Sequence, residues 1–113
     1  MSGKIELTRD EWWIELSGKT ARLGASEQLK IDIGEIYEAT FSPIGAYLKK
    51  DEIVCELIAE KFNSKLPCPI EAVVIAFNEQ ALHNPAILNS KNRDENWLIV
   101  LQSERELSIA DFL

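Results

Sequence analysis

Apolar and polar residues alternate along this chain in short runs separated by turn residues. Trp12-Trp13-Ile14-Glu15-Leu16 predicts a strand, with Ser17-Gly18-Lys19 as the turn behind it. Thr20 to Gly24 continues the alternation, as in a hairpin with one covered face. Ser26, three residues before Leu29, predicts an N-cap for one or two helical turns, with Glu27 in the first turn and Asp32-Ile33-Gly34 as the stop. Glu35 to Phe41 has the aromatic and β-branched content of a strand, and Ser42-Pro43-Ile44-Gly45 that of a turn. Past Tyr47-Leu48 and the polar step Lys49-Lys50-Asp51-Glu52, a further strand is predicted over Ile53–Ile58. Ile70–Phe77, dense in Val and Ile, is the strongest strand signal, and Pro69 fits only at its start. Asn84-Pro85 marks a turn that opens a short helical turn through Leu88. Ser90 to Asn96 reads as a polar loop and Trp97 to Leu101 as a closing strand. Glu104 to Phe112 predicts a terminal helical turn with Leu107 and Phe112 facing inward.

Many short strands, tight turns and no long amphipathic helix predict a mainly β fold: a flattened β-barrel or sandwich with short helical turns. Closure would remove the strand edges that invite aggregation. With 113 residues the chain is expected to form one domain, 1–113. Nineteen acidic and 12 basic residues give a net charge of -7, which disfavours nucleic acid as a partner. That sign suits a protein that docks transiently on larger, more basic enzymes. No apolar run approaches membrane-spanning length, and Met1 to Glu6 lacks the apolar core of a secretory leader. Cys55 and Cys68 are too few for a disulfide scaffold or a four-ligand zinc site, and both sit in apolar surroundings. Buried free thiols and a cytoplasmic location are expected.

Catalytic chemistry finds little support. His83 is the only histidine and precedes Asn84-Pro85 in an apparent loop, where it is expected to be solvated. The pairs Asp51-Glu52 and Asp94-Glu95 fall in polar turns and read as surface solvation. The five glycines are isolated, so no phosphate-binding loop exists. A cysteine nucleophile at Cys55 or Cys68 lacks a visible histidine partner. Lys61, in the polar stretch Ala59 to Ser64 between two apolar runs, is expected at the tip of a hairpin formed by Ile53–Ile58 and Ile70–Phe77. An amine there is accessible to a modifying enzyme. Lys65, Lys49 and Lys50 compete with it on exposure alone.

The chain resembles the H protein family of the glycine cleavage system, most of all its short bacterial H-like members. Thr8 to Ile14 is similar to that family's opening strand, with Glu11 in place of the usual histidine. Gly24, Gly34, Gly45, Leu48 to Glu52, Asn84 to Asn89 and Trp97-Leu98-Ile99 continue the match over nearly the whole chain. The resemblance implies a barrel–sandwich hybrid of the lipoyl/biotinyl-domain type. It places the covalent lipoyl attachment on Lys61, with Ile58, Glu60 and Phe62 as recognition-loop neighbours. Ile58 replaces the glutamate usual three residues before the lysine, Phe62 replaces a small residue, and Pro67, Cys68 and Ala72 also depart from the pattern.

What the resemblance implies about function is a non-catalytic carrier with lipoate as its cofactor, shuttling an aminomethyl group or reducing equivalents between enzymes. The partners would be a lipoate ligase or lipoyl transferase, the glycine-cleavage decarboxylase, the aminomethyltransferase, and dihydrolipoyl dehydrogenase or related redox enzymes. The alternative is a degenerate, non-lipoylated member acting as a binding or regulatory module. Adjacent tryptophans on a strand face opposite ways; the resemblance makes Trp13 the core member, leaving Trp12 as a partner-docking aromatic or, the preferred expectation, partly buried against the terminal segment.

Overall fold

A computed structural model describes residues 4–113. The chain forms β1 (Ile5–Arg9), β2 (Trp12–Ser17), β3 (Thr20–Ala25), α1 (Glu27–Ile33), β4 (Ile36–Phe41), β5 (Tyr47–Leu48), β6 (Ile53–Ala59), β7 (Ser64–Pro67) and β8 (Ala72–Phe77). It closes with α2 (Gln80–His83), a 3-10 turn over Pro85–Asn89, α3 (Arg93–Asn96), β9 (Trp97–Gln102) and a last 3-10 turn over Ile109–Phe112. The strands make two antiparallel sheets, one in the order β1-β2-β3-β9-β8-β5 and the other β4-β6-β7. One apolar cluster joins them: Ile14, Leu23 and Leu101 from the larger sheet meet Ile36, Leu57 and Leu66 from the smaller. Register shifts at Leu23/Gly24, Ile36/Glu38 and Val74/Ala76 bend the strands around this core.

The local signals act as expected around α1. The Leu29 N–H donates to Ser26 Oγ at 3.1 Å, Glu27 lies in the first turn, and the Gly34 N–H closes the last turn on the Lys30 carbonyl at 3.0 Å. Pro85 opens its 3-10 turn, and Leu107 and Phe112 are buried as expected.

β2 corrects the tryptophan assignment. Trp12, Ile14 and Leu16 share the core face, and the Trp12 indole N–H donates to the Pro67 carbonyl at 2.9 Å across the two sheets. Trp13 faces the other way yet is also buried. Its ring lies across Gly24, its N–H donates to Asn96 Oδ1 at 3.2 Å, and the guanidinium groups of Arg93 and Arg22 stand 4.7 and 5.5 Å from the ring centroid. Beside it, the half-submerged Arg22 binds the buried Glu15 carboxylate at 2.6 Å. A polar roof therefore covers the outer face of β2, and both tryptophans are buried by different means.

The strand partners around Lys61 are a second correction. Ile53–Ala59 returns through β7, not through Ile70–Phe77, and β8 starts at Ala72 in the other sheet. β7 is a four-residue edge strand, the place where Pro67 costs no ladder hydrogen bond. β1, the two-residue β5 and α2 add to the expected elements, and α3 shortens the Ser90 to Asn96 loop.

The lysine at the hairpin tip

The β6–β7 hairpin pairs Leu57 with Ser64 and Glu56 with Lys65, leaving Lys61 in the turn beyond. A four-residue return strand leaves such a tip free to splay. Here the tip is tied sideways to the segment that leads from α1 into β4. The Lys61 N–H donates to the Ile33 carbonyl at 2.7 Å and the Glu60 N–H to the Glu35 carbonyl at 2.8 Å. The Glu35 N–H reaches back to Glu60 Oε1 at 3.4 Å. Between these ties sits Gly34, at φ +80° and ψ -158°. A Cβ there would stand 2.8 Å from Glu60 Oε1, 3.1 Å from Glu60 Cβ and 3.4 Å from Lys61 Cγ. The glycine thus allows both the backbone conformation and the close approach.

The tying segment is itself held from the far side. The Ile36 N–H donates to Asn89 Oδ1 at 2.8 Å, and Asn89 Nδ2 donates to the Ile36 carbonyl at 3.1 Å. The asparagine amide thereby acts as a short strand against the start of β4.

With its backbone fixed, the Lys61 side chain is exposed. Its ammonium makes one long contact, 3.4 Å to the Ile31 carbonyl, and no ion pair among the described residues. Ile58 and Phe62 are exposed beside it. Glu60 is exposed too, but its carboxylate turns toward Glu35. Sequence reasoning brought these four residues together; it did not find the structural roles of Gly34 and Asn89 or the closeness of Ile31. Of the competing lysines, Lys65 lies within β7, while Lys49 and Lys50 lie at the far end of β6, before Ile53.

The other candidates are placed as follows. His83 is exposed at the end of α2. Asp51 and Glu52 are exposed in a turn; Asp94 pairs with Arg22 at 3.1 Å, and Glu95 accepts from Ser90 Oγ at 2.6 Å. Both thiols are buried and free. Desolvation, with Glu56 nearby, pushes Cys55 far above the ordinary thiol range. Burial also pushes Cys68 up, to about 11, although its contact with the Ile70 carbonyl, 3.0 Å from Sγ, acts the other way. Neither is a thiolate at neutral pH. Among the described residues, no helix is long and apolar enough to cross a membrane.

Known proteins resemble this chain in sequence and in fold. The glycine cleavage system H protein of Anoxybacillus flavithermus is 28% identical over 110 residues, covering 97% of this chain and 86% of that protein. That of Bacillus subtilis is 28% identical over 90 residues, 80% of this chain and 71% of the relative. A crystal structure of a glycine cleavage system H protein from Mycobacterium marinum superposes with a TM-score of 0.78 at 19% identity, covering 99% of this chain and 95% of that one. This last likeness is one of fold, a mainly β barrel–sandwich hybrid. The family model described as Glycine cleavage H-protein matches residues 5–112, so the chain belongs to the glycine cleavage H-protein family, whose members are non-catalytic carriers.

Proposed function

We propose that this chain, as one carrier domain over residues 1–113, holds a lipoyl group in amide linkage on Lys61 and presents it in turn to the enzymes of a glycine-cleavage or related redox system. The observation that carries the reading is the contrast at Lys61, between a backbone tied at Glu60 and Lys61 to the α1–β4 segment and an exposed amine. The residues present fit the group. Amidation would remove one exposed 3.4 Å contact, and the amide N–H that replaces the ammonium can still donate to a carbonyl. When bound, lipoate supplies a redox-active dithiolane at the end of a long flexible chain. The protein's part is to fix the anchor, so that a tethered group samples partner active sites at high effective concentration.

The modifying partner would be a lipoate ligase or lipoyl transferase. The clients would be the glycine-cleavage decarboxylase, the aminomethyltransferase and dihydrolipoyl dehydrogenase, or related redox enzymes, in the cytoplasm. A second reading, a non-lipoylated binding module, draws on the exposed Ile58 and Phe62 flanking the lysine. Intact mass after co-expression with a lipoate ligase and added lipoate separates the two. The expected result is one lipoyl increment in the parent protein and none in Lys61→Arg. Full modification of Lys61→Arg would refute the site, and an unmodified parent would favour the binding module.

A further inference from the structure

Four large apolar side chains stand exposed around the hairpin tip: Ile31 at 62%, Tyr37 at 54%, Ile58 at 36% and Phe62 at 65%. Three separate segments bring them there. Ile31 lies on α1, and its carbonyl receives the Lys61 ammonium. Tyr37 lies at the register shift of β4 between Ile36 and Glu38, and Ile58 is the β6 partner of Glu38. Phe62 follows the lysine in the turn. Single exposed apolar residues need no explanation, but a collar around one chemically special amine marks a contact surface.

Its rim is acidic. Asp32, Glu35, Glu38, Glu56 and Glu60 belong to the same three segments and enter no ion pair among the described residues. Besides Lys61 these segments carry two cations, Lys65 and Lys30, and Lys30 is paired with Glu27 and donates to the Ser90 carbonyl. Two copies of this face would set like charges against each other, which opposes self-pairing.

We infer that this collar is the docking surface for the enzyme that acylates Lys61, and that the enzyme's acceptor face is apolar and ringed by lysine or arginine. The inference rests on the lipoylation reading, because an enzyme that reaches Nζ at this tip must cover the side chains around it. In the step concerned, the deprotonated Lys61 amine attacks the carboxyl carbon of an activated lipoyl adenylate. The C–N bond forms, the C–O bond to the adenylate phosphate breaks and its electron pair leaves with AMP, and the amine's proton goes to solvent. No oxidation state changes. The collar's role is binding: the apolar groups slow release, and the acidic rim speeds encounter.

The test is steady-state transfer of lipoate onto the full chain by a purified bacterial lipoate ligase with ATP, with the carrier as the varied substrate. Ile58→Ser/Phe62→Ser is expected to raise KM about tenfold with kcat nearly unchanged. The parent's KM is expected to rise with added salt. Ile44→Ser/Ile75→Ser, which removes exposed apolar groups from β8 and the turn before β5, is expected to leave KM unaltered. Equal KM for the collar variant and the parent, with Lys61 still lipoylated, would overturn the docking surface and leave the carrier reading standing. An equal rise in both double variants would overturn it too. A parent that takes up no lipoyl mass at Lys61 would overturn both.

Discussion

Gly34→Ala tests whether the tie between the hairpin tip and the α1–β4 segment carries stability. At φ +80° and ψ -158° an alanine occupies a region open essentially only to glycine, which costs on the order of 1–3 kcal/mol. The added methyl also displaces the Glu60 carboxylate from 2.8 Å, a small loss because that group is exposed. Its 3.1 Å approach to Glu60 Cβ is less forgiving, since relief needs movement of the backbone that donates to Glu35. The lower entropy of the unfolded alanine chain offsets roughly 0.4–1 kcal/mol. A net loss of about 2 kcal/mol is expected, seen in urea as a lower Cm at unchanged m. Gly18→Ala is the control, at φ +59° with nothing within 4 Å of the added Cβ. The Lys61 amide, bonded to Ile33, should also lose hydrogen-exchange protection in Gly34→Ala while that of Leu57 keeps its own. Destabilisation no greater than that of Gly18→Ala, with the Lys61 amide still protected, would refute the reasoning.

Two further outcomes follow from the core. A Cβ at Gly24 would fall 2.2 Å from the Trp13 ring, so Gly24→Ala should cost about 3 kcal/mol or more, with a red-shifted tryptophan emission. Adding Trp13→Ala should give a double variant more stable than the two separate losses sum to, as a double-mutant cycle would measure. The folded protein should not react with a mild thiol reagent at pH 8, whereas the urea-unfolded chain should react at both Cys55 and Cys68. Because folding raises both thiol pKa values above the ordinary 9.0, stability is fully present below that pH and falls as pH climbs through it toward about 11, which alkaline denaturation would show.

Elements whose signal is local were legible in the chain. Ser26 caps α1 through its own side chain, and the β-branched runs of β6 and β9 make strands wherever they are placed. β7 was not legible, because Ser64-Lys65-Leu66-Pro67 is short, carries a proline and buries only Leu66 and part of its neighbours. Its strand character comes from pairing with β6. The two tryptophans of β2 could not be assigned by alternation, since a roof of Arg22 and Arg93 buries the face that alternation alone would leave to water. At the candidate site, the exposure of Lys61 follows from its polar surroundings, and the family resemblance singled it out from the other lysines. The ties that hold it are long-range: Asn89 and Ile36 are separated by 53 residues, and no sequence pattern marks an amide destined to pair with a distant backbone.

That division has a consequence for how a carrier of this kind works. A hairpin with a four-residue return strand cannot by itself keep a lysine in one orientation, yet a tethered group gains from its tether only where the anchor is fixed. Here the rigidity comes from backbone atoms of Ile33, Glu35, Glu60 and Lys61, and none of these is consumed by acylation of Nζ. The one native contact that acylation would touch is the exposed bond to Ile31, and the charge it would remove enters no ion pair among the described residues. Modification would therefore cost the fold almost nothing while removing one positive charge from beside an acidic rim. Anchor and amine are separable: the fold determines where Lys61 Nζ stands, and no ion pair among the described residues holds it there.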